Sequence, residues 1–376
     1  MTGIHWNGLI SGFGGDNSGI SSMIRLRGFL SKTLYLSLAL LSAAVPSFSQ
    51  AVPADELLRS QFGFSQLEID AVTRGVVISK VLGSANPAEV AAFGAVYIHV
   101  PVDFAVNAFR DLESFKLRAD VPEIGKFALK PDLNDLKGLT LEEEDIAALR
   151  KCSPGHCAVK LSAAAMKRFR KSIDWNDPDY PDRALALMKQ LLVSDVRSYL
   201  DGGNDSMGAY DDQSYSLNRA GEFYKLLAEK PTLITDVPEL FAHLGCFPRD
   251  SLPGASDLIF WQKEKFEKIK PILSLTHMTI YRPDSCALKT MVTMNEIYAN
   301  HYLEASLLQM ALVKDSTASD GFYALVLQRF SFDDLRKPKL FDFSKEIRGA
   351  IYQQVREEIA GTKTRLESLY HDSKYK

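Results

Sequence analysis

The chain has 376 residues, 46% of them hydrophobic and 24% charged, which excludes a disordered polymer and leaves room for one large domain or two medium ones. The formal net charge is −3 and no dense Lys/Arg stripe appears, so the electrostatic footprint of a nucleic-acid binder is missing and no DNA or RNA partner is expected.

The N-terminus carries the most specific signal. RLRGFLSK at 25–32 supplies cationic groups, TLYLSLALLSAAVP at 33–46 is an apolar run, and SFSQA places small residues at Ser47 and Ser49 around a cleavage point. The run is shorter than the roughly 20 residues a spanning helix needs, so a bacterial-type secretory signal cleaved near Ser49 is predicted, with no stable membrane span after processing. Residues 1–49 are thus read as an N-terminal extension and signal peptide, and 50–376 as the mature, periplasmic or secreted domain. The glycine-rich preface before Met23 makes Met23 a candidate start alongside Met1. Processing removes Arg25, Arg27, Lys32 and Asp16 and leaves the mature chain more acidic.

Downstream, Ser65-Gln-Leu-Glu68 is a capping box opening the helix LEIDAVT, which Gly75 stops before the β-branched run VVISKVL. EVAAFGAVYIHVP at 89–101 alternates Val90, Ala92, Val96, Ile98 and Val100 on one face and reads as a strand ended by Pro101. Asp103 is placed to cap the amphipathic helix DFAVNAFRDLESF. A helical insertion follows at about 140–245. Thr140-Leu-Glu-Glu143 reads as a second capping box, Ser162 as the cap of AAAMKRFRK, and Gly202-Gly203 as the stop of the helix over 183–200. SLNRAGEFYKLLAEK and DVPELFAHLG add two helices. DWNDPDYPD and GGNDSMGAYDDQ lack the fixed ligand pattern of a Ca²⁺ loop and read as solvated separators. Cys152 and Cys157 enclose the Pro-Gly turn SPGH, without the C-x-x-C spacing of a redox centre, and predict a structural disulfide in an oxidising compartment. Whether Cys246 and Cys286 pair is open.

LSLTHMTIYR (273–282) and ALKTMVTMNEIY (287–298) flank the turn formers of PDSC, and HYLEASLLQMALV (301–313) and FYALVLQRFSF (322–332) flank DSTASDG. EASLLQMAL has high helix propensity, but a helix there would strip FYALVLQRFSF of its antiparallel neighbour, so two hairpins with a bend near Asn300 are predicted. The chain closes with a long amphipathic helix in which Ile347, Ile351, Val355, Ile359, Thr362 and Leu366 recur at threes and fours.

Strand, Pro-x-Asp, helix, several antiparallel strands and a long terminal helix form an order that resembles the START-like, or helix-grip, superfamily over about 89–118 and 257–370. The chain is also similar to an uncharacterised family of exported bacterial proteins through THMTIYR and EIYANHY, a likeness that implies no activity. The helix-grip resemblance implies an α+β fold in which a curved antiparallel sheet grips the C-terminal helix. It also implies a cavity between them for a hydrophobic small molecule or lipid.

No H-E-x-x-H, G-x-S-x-G, phosphate-cradling glycine loop or paired metal motif occurs, so no cofactor and no metal are expected and no catalytic residue is named. The candidate ligand-binding residues are His277, Glu296, Tyr298, His301, Tyr302 and Arg329. Strict alternation would put Glu296, Tyr298, Asn300, Tyr302 and Glu304 on one face and Asn295, Ile297, Ala299, His301 and Leu303 on the other, barring a bulge. His277 and Arg329 are expected to anchor a carboxylate or head group, with Tyr298 or Tyr302 donating a hydrogen bond. Two alternatives stand beside the carrier reading: a cyclase- or hydratase-like enzyme with His277 or Glu296 as general base, and a non-catalytic envelope scaffold using an exposed face of the 181–201 helix.

Overall fold

The structure, a computed structural model, describes residues 53–249, 251–266, 269–283, 289–314, 321–336 and 344–374. The expected signal segment and Cys286 lie outside these ranges.

Helices α1 (Ala54–Phe62) and α2 (Gln66–Thr73) lead into strands β1 (Ile78–Leu82) and β2 (Glu89–Ile98). The Ser65 capping box forms: Ser65 Oγ accepts from Glu68 N at 3.3 Å, and Glu68 Oε2 accepts from Ser65 N at 2.7 Å. After β2 come α3 (Val102–Arg110), α4 (Leu112–Lys116) and the short β3 (Glu123–Lys126). Asp103 does not cap α3. Pro101 holds the N-cap, and the Asp103 carboxylate accepts from Arg282 at 2.6 Å instead.

The insertion holds α5 (Glu143–Lys151), α6 (Ala163–Ser172), α7 (Tyr180–Gly202), a small ribbon of β4 (Ala209–Tyr210) and β5 (Leu217–Asn218), α8 (Arg219–Ala228) and α9 (Pro238–Cys246). Ser162 caps α6 through Ala165 N, and Gly203, at φ 67°, stops α7 in the left-handed region that glycine tolerates. The Thr140 box does not form, because Thr140 Oγ1 donates to Glu123 Oε1 at 2.6 Å and α5 starts from Glu142. Cys152 and Cys157 are bonded, with Cα atoms 4.4 Å apart. The segment read as a solvated separator over 202–213 is instead tied into the core. Asn204 and Asp212 are buried; Asn204 donates to Leu244 O at 2.8 Å, and Asp212 lies 3.7 Å from the Lys160 ammonium. Its polar residues find partners inside the fold rather than in water.

Strands β6 (Ala255–Glu264), β7 (Ile272–Tyr281), β8 (Lys289–Ala299), β9 (Leu303–Lys314) and β10 (Phe322–Phe332) precede a helical turn, α10 (Asp333–Arg336), and the long α11 (Ser344–Lys374). Residues 293–313 are therefore two strands and not one helix. Cross-strand pairing on both flanks outweighs the helix propensity of EASLLQMAL.

The eight strands of the main sheet run in the order β1-β2-β10-β9-β8-β7-β6-β3, each pair antiparallel. This is an α+β fold: a curved antiparallel sheet with a long C-terminal helix and helical insertions. The register separates two faces. Gly94, Val326, Met310, Val292 and Ile280 form a transverse row in the core toward α11, while Ala95, Leu325, Ala311, Met291 and Tyr281 face the layer of α1, α2, α8 and α9. Helices α6 and α7 cover the same second face further along, over Ile259, Trp261, Leu275 and Ile297.

On the first face α11 packs chiefly on β1, β2 and α3. The stripe expected from its spacing is the buried one: Ile351, Val355, Ile359 and Leu366 are sealed, Ile347 is partly so, and Gln353 and Glu346 face water. Contact is close at Gly94, where a Cβ would lie 2.3 Å from Ile359 Cδ1. Arg348 donates to Glu89 O at 2.9 Å, Glu358 pairs with Arg118, Arg365 donates to Ser114 O, and Glu367 accepts from His99 N at 3.0 Å. The helix is thus clasped along most of its length.

Candidate ligand-binding site

The six candidate residues do not form one site, and a single extra residue explains much of their scatter. Tyr298 pairs with Leu275 but Glu296 pairs with Thr276, so β8 carries a bulge at Ile297. Beyond it the alternation changes phase. Glu296 faces the α11 side, whereas Ile297 and Tyr298 both sit in the core under α6 and α7. The bulged carbonyl, released from the ladder, accepts from Arg219 Nη1 at 3.0 Å, and Ala299 N donates to Tyr210 Oη at 2.9 Å.

His277 and Arg329 lie on the face away from α11, outside the space between sheet and helix. His277 Nε2 is 3.0 Å from Asp257 Oδ1, and its Nδ1 meets the Tyr199 hydroxyl at 2.9 Å. His243 Nε2 and the Thr279 hydroxyl reach the same carboxylate oxygen at 3.2 and 2.7 Å. Partial burial acts to raise the Asp257 pKa, but the hydrogen bonds from His243, His277 and Thr279 outweigh it and hold the carboxyl well below its ordinary value. With His277 only 2% exposed, this cluster fastens α7 and α9 to the sheet. Arg329, fully buried, pairs with Glu89 and donates to Pro231 O at 2.7 Å. His301 stands in the β8–β9 turn with Nε2 3.0 Å from both oxygens of Asp145. Tyr302, in the same turn at φ 58°, accepts from Lys270 N at 3.1 Å and packs its ring on the α11-side core.

Of the six, Glu296 and Tyr302 therefore belong to the α11 side. There the register sets Gln328, Leu308, Met294, Met278 and Leu258 in a row across five strands, with Glu296 one pleat away beside Thr276. Met294, Glu296, Leu308 and Gln328 keep part of their surface reachable by water, although β8, β9 and β10 lie inside the sheet. The reason is the position of α11, which lies over β1 and β2 and leaves the strands beyond them as the floor of a groove. Gln262 and Glu264 extend that floor along β6, and Lys116 donates to Gln262 Oε1 at 3.2 Å.

The electrostatics follow from depth. Desolvation, and after it the charge of Glu264, push the Glu296 carboxyl up to about 8, against the opposing effect of Lys160 and Arg219. Glu264 is also raised, by desolvation first, with Lys116 and Arg118 opposing and Glu358 adding to it. At neutral pH Glu296 is then mainly a neutral acid, able to donate a hydrogen bond from a floor that mixes leucine and methionine side chains with polar ones. Among the described residues no group of His, Cys, Asp and Glu side chains is arranged to hold a metal ion. On the same face a cleft of about 180 Å³ opens under α3, lined by Asp103, Asn107, Arg110, Arg282 and Thr290.

Sequence reasoning missed Gln262, Glu264 and Gln328. Only Gln328 left a trace: the adjacent polar pair Gln328-Arg329 in an apolar strand must put one polar group on each face. No protein-family model matches the chain, and no curated protein matches it either.

Proposed function

We propose that the mature chain is an exported protein that binds a hydrophobic small molecule or lipid in the groove between the sheet and α11. The observation that carries this reading is the partial exposure of Met294, Leu308 and Glu296 on central strands beneath a helix that covers only one side of the sheet. The apolar side chains suit a hydrocarbon or ring system, and the protonated Glu296 with the amides of Gln262 and Gln328 suits a carbonyl or hydroxyl on it. The order of elements supports the helix-grip reading: β2 is followed by two helices, pairs with the last strand β10, and the chain ends in α11. The Cys152–Cys157 bond suits an oxidising compartment, and no described helix is long and apolar enough to cross a membrane.

The hydratase-like alternative retains Glu296 in the groove, while its other base, His277, is sealed on the opposite face. The scaffold alternative needs an exposed apolar face on α7, but that helix turns Leu187, Met188, Leu192, Val193 and Val196 inward. Carriage is the better supported role.

Native mass spectrometry of the protein recovered from its exporting host tests the proposal, together with titration of a fluorescent fatty-acid analogue into the delipidated protein. The expected result is a co-purifying apolar mass, with probe uptake blocked by Leu308→Trp and Met294→Trp. A ligand-free native protein that leaves the probe unbound would reject the carrier role.

A further inference from the structure

The floor of the groove contains polar groups that the rest of the protein leaves unpartnered. Glu296 on β8 stands across from Thr276 on β7, and Gln328 lies two strands away on β10, in the row of Leu308 and Met294. No described residue hydrogen-bonds the Glu296 carboxyl, the Thr276 hydroxyl or the Gln328 amide. Their polar atoms are nevertheless not sealed, in contrast to the Tyr298 hydroxyl and Asn295 Oδ1 of the same β8 strand, which are both unpartnered and closed off. Thr276 is 8% exposed, and on a strand paired at both sides the surface it keeps opens on the groove. In the free protein water reaches these groups. A ligand body that displaces the water must supply the hydrogen bond itself or leave it unmade.

The charged groups around Glu296 decide which partner it can take. Glu264 at the end of β6 opposes its ionisation. Lys116 of α4 donates to Gln262 Oε1 at 3.2 Å, and Arg118 is held by Asp120 at 2.7 Å and by Glu358 of α11. Lys160 and Arg219 favour ionisation but are engaged elsewhere, by Asp333 at 3.3 Å and by Ile297 O at 3.0 Å. The Tyr302 hydroxyl, at the end of the same face, is taken by Lys270 N at 3.1 Å. None of these cations bonds the Glu296 carboxyl, so ionising it beneath a ligand would leave a charge with neither water nor a hydrogen-bonded counter-ion. The protonated form instead carries an O–H donor.

Resting on the groove reading above, we propose that ligand binding there is coupled to the proton of Glu296: the ligand presents an uncharged oxygen acceptor to the Glu296 O–H and is released as that carboxyl ionises. Desolvation pushes the carboxyl up to about 8, so about half of the free protein is competent at pH 8 and about a tenth at pH 9. Release therefore falls in the mildly alkaline range.

Fluorescence titration of the mature protein with Nile red, an uncharged dye with a carbonyl acceptor and no group that ionises in the range, tests the coupling at pH 6, 7, 8 and 9. The dissociation constant should change little between pH 6 and 7 and rise about tenfold by pH 9. Glu296→Gln, whose amide donates at every pH, should show one dissociation constant across the range. Leu308→Trp, which fills the groove, should take up no dye and so places it. Melting curves at each pH establish that the proteins compared are folded. A constant in the parent that ignores pH, tighter binding toward pH 9, or the parent's pH dependence persisting in Glu296→Gln would overturn the coupling while leaving the groove reading in place, since Leu308→Trp would still exclude the dye. No binding at any pH, or binding undiminished in Leu308→Trp, would overturn the groove reading and the coupling with it.

Discussion

Replacing Glu296 by Gln removes one ionisable carboxyl from the groove and keeps its shape, so its effect on stability should depend on pH in a defined direction. The folded-state pKa, about 8, lies above the ordinary value of 4.5. A group raised in this way binds its proton more tightly in the native state; its contribution is fully present below about pH 4.5 and is lost as pH climbs through 8. At about 1.4 kcal/mol per tenfold change in proton affinity, the upper limit of the loss is ~5 kcal/mol. Water reaches part of the side chain and screens it, which halves the figure to about 2 kcal/mol. Urea denaturation at pH 5 and pH 9 measures it. At pH 5 Glu296→Gln and the parent should unfold alike, because a protonated carboxyl and an amide are equivalent in bulk and neutrality. At pH 9 the variant should be the more stable by about 2 kcal/mol. Parallel stability curves for the two proteins across this range would show that Glu296 is well solvated and that the groove is not the low-dielectric space described above.

Two further outcomes follow from the packing and the covalent frame. Val355→Asp, at the sealed centre of the α11 stripe, should cost about 3 kcal/mol or more by burying an unpaired carboxylate, whereas Gln353→Asp on the wet face of the same helix should change stability by less than about 1 kcal/mol; chemical denaturation of both variants checks the contrast. Replacing Cys152 and Cys157 together by Ser should lower stability by about 2 kcal/mol, the chain-entropy value for so short a loop, and non-reducing peptide mapping of the parent should recover the two cysteines linked.

Much of the architecture was legible because it rests on periodicity. The matched lengths around PDSC and DSTASDG indicated β7 to β10, and the threes and fours of Ile351, Val355 and Ile359 gave the buried side of α11. The cap at Ser162 and the stop at Gly203 were local chemistry and formed as read. What the sequence concealed depends on long-range partners. Thr140 leaves its box for Glu123, and Asp103 leaves its helix for Arg282. His277, Arg329 and His301 looked available because Asp257, Glu89 and Asp145, which engage them, stand 20, 240 and 156 residues away in the chain. Glu264 closes a strand whose inward face cannot be told from its outward one without the register, and Arg219 opens a helix with nothing nearby to mark its role beneath β8. The side on which each strand residue falls was readable only up to Ile297, since a bulge has no sequence signature of its own.

That one surplus residue has a consequence for how such a chain can change over generations. Substituting any side chain of β8 alters what a compartment contains but not which compartment it belongs to. Only losing or gaining a residue would carry Tyr298 across the sheet to join Glu296, and it would do so while stranding the carbonyl that Arg219 now holds. The assignment of residues to the two faces is therefore recorded in chain length, which makes it insensitive to the commonest kind of mutation and abruptly sensitive to a rare one.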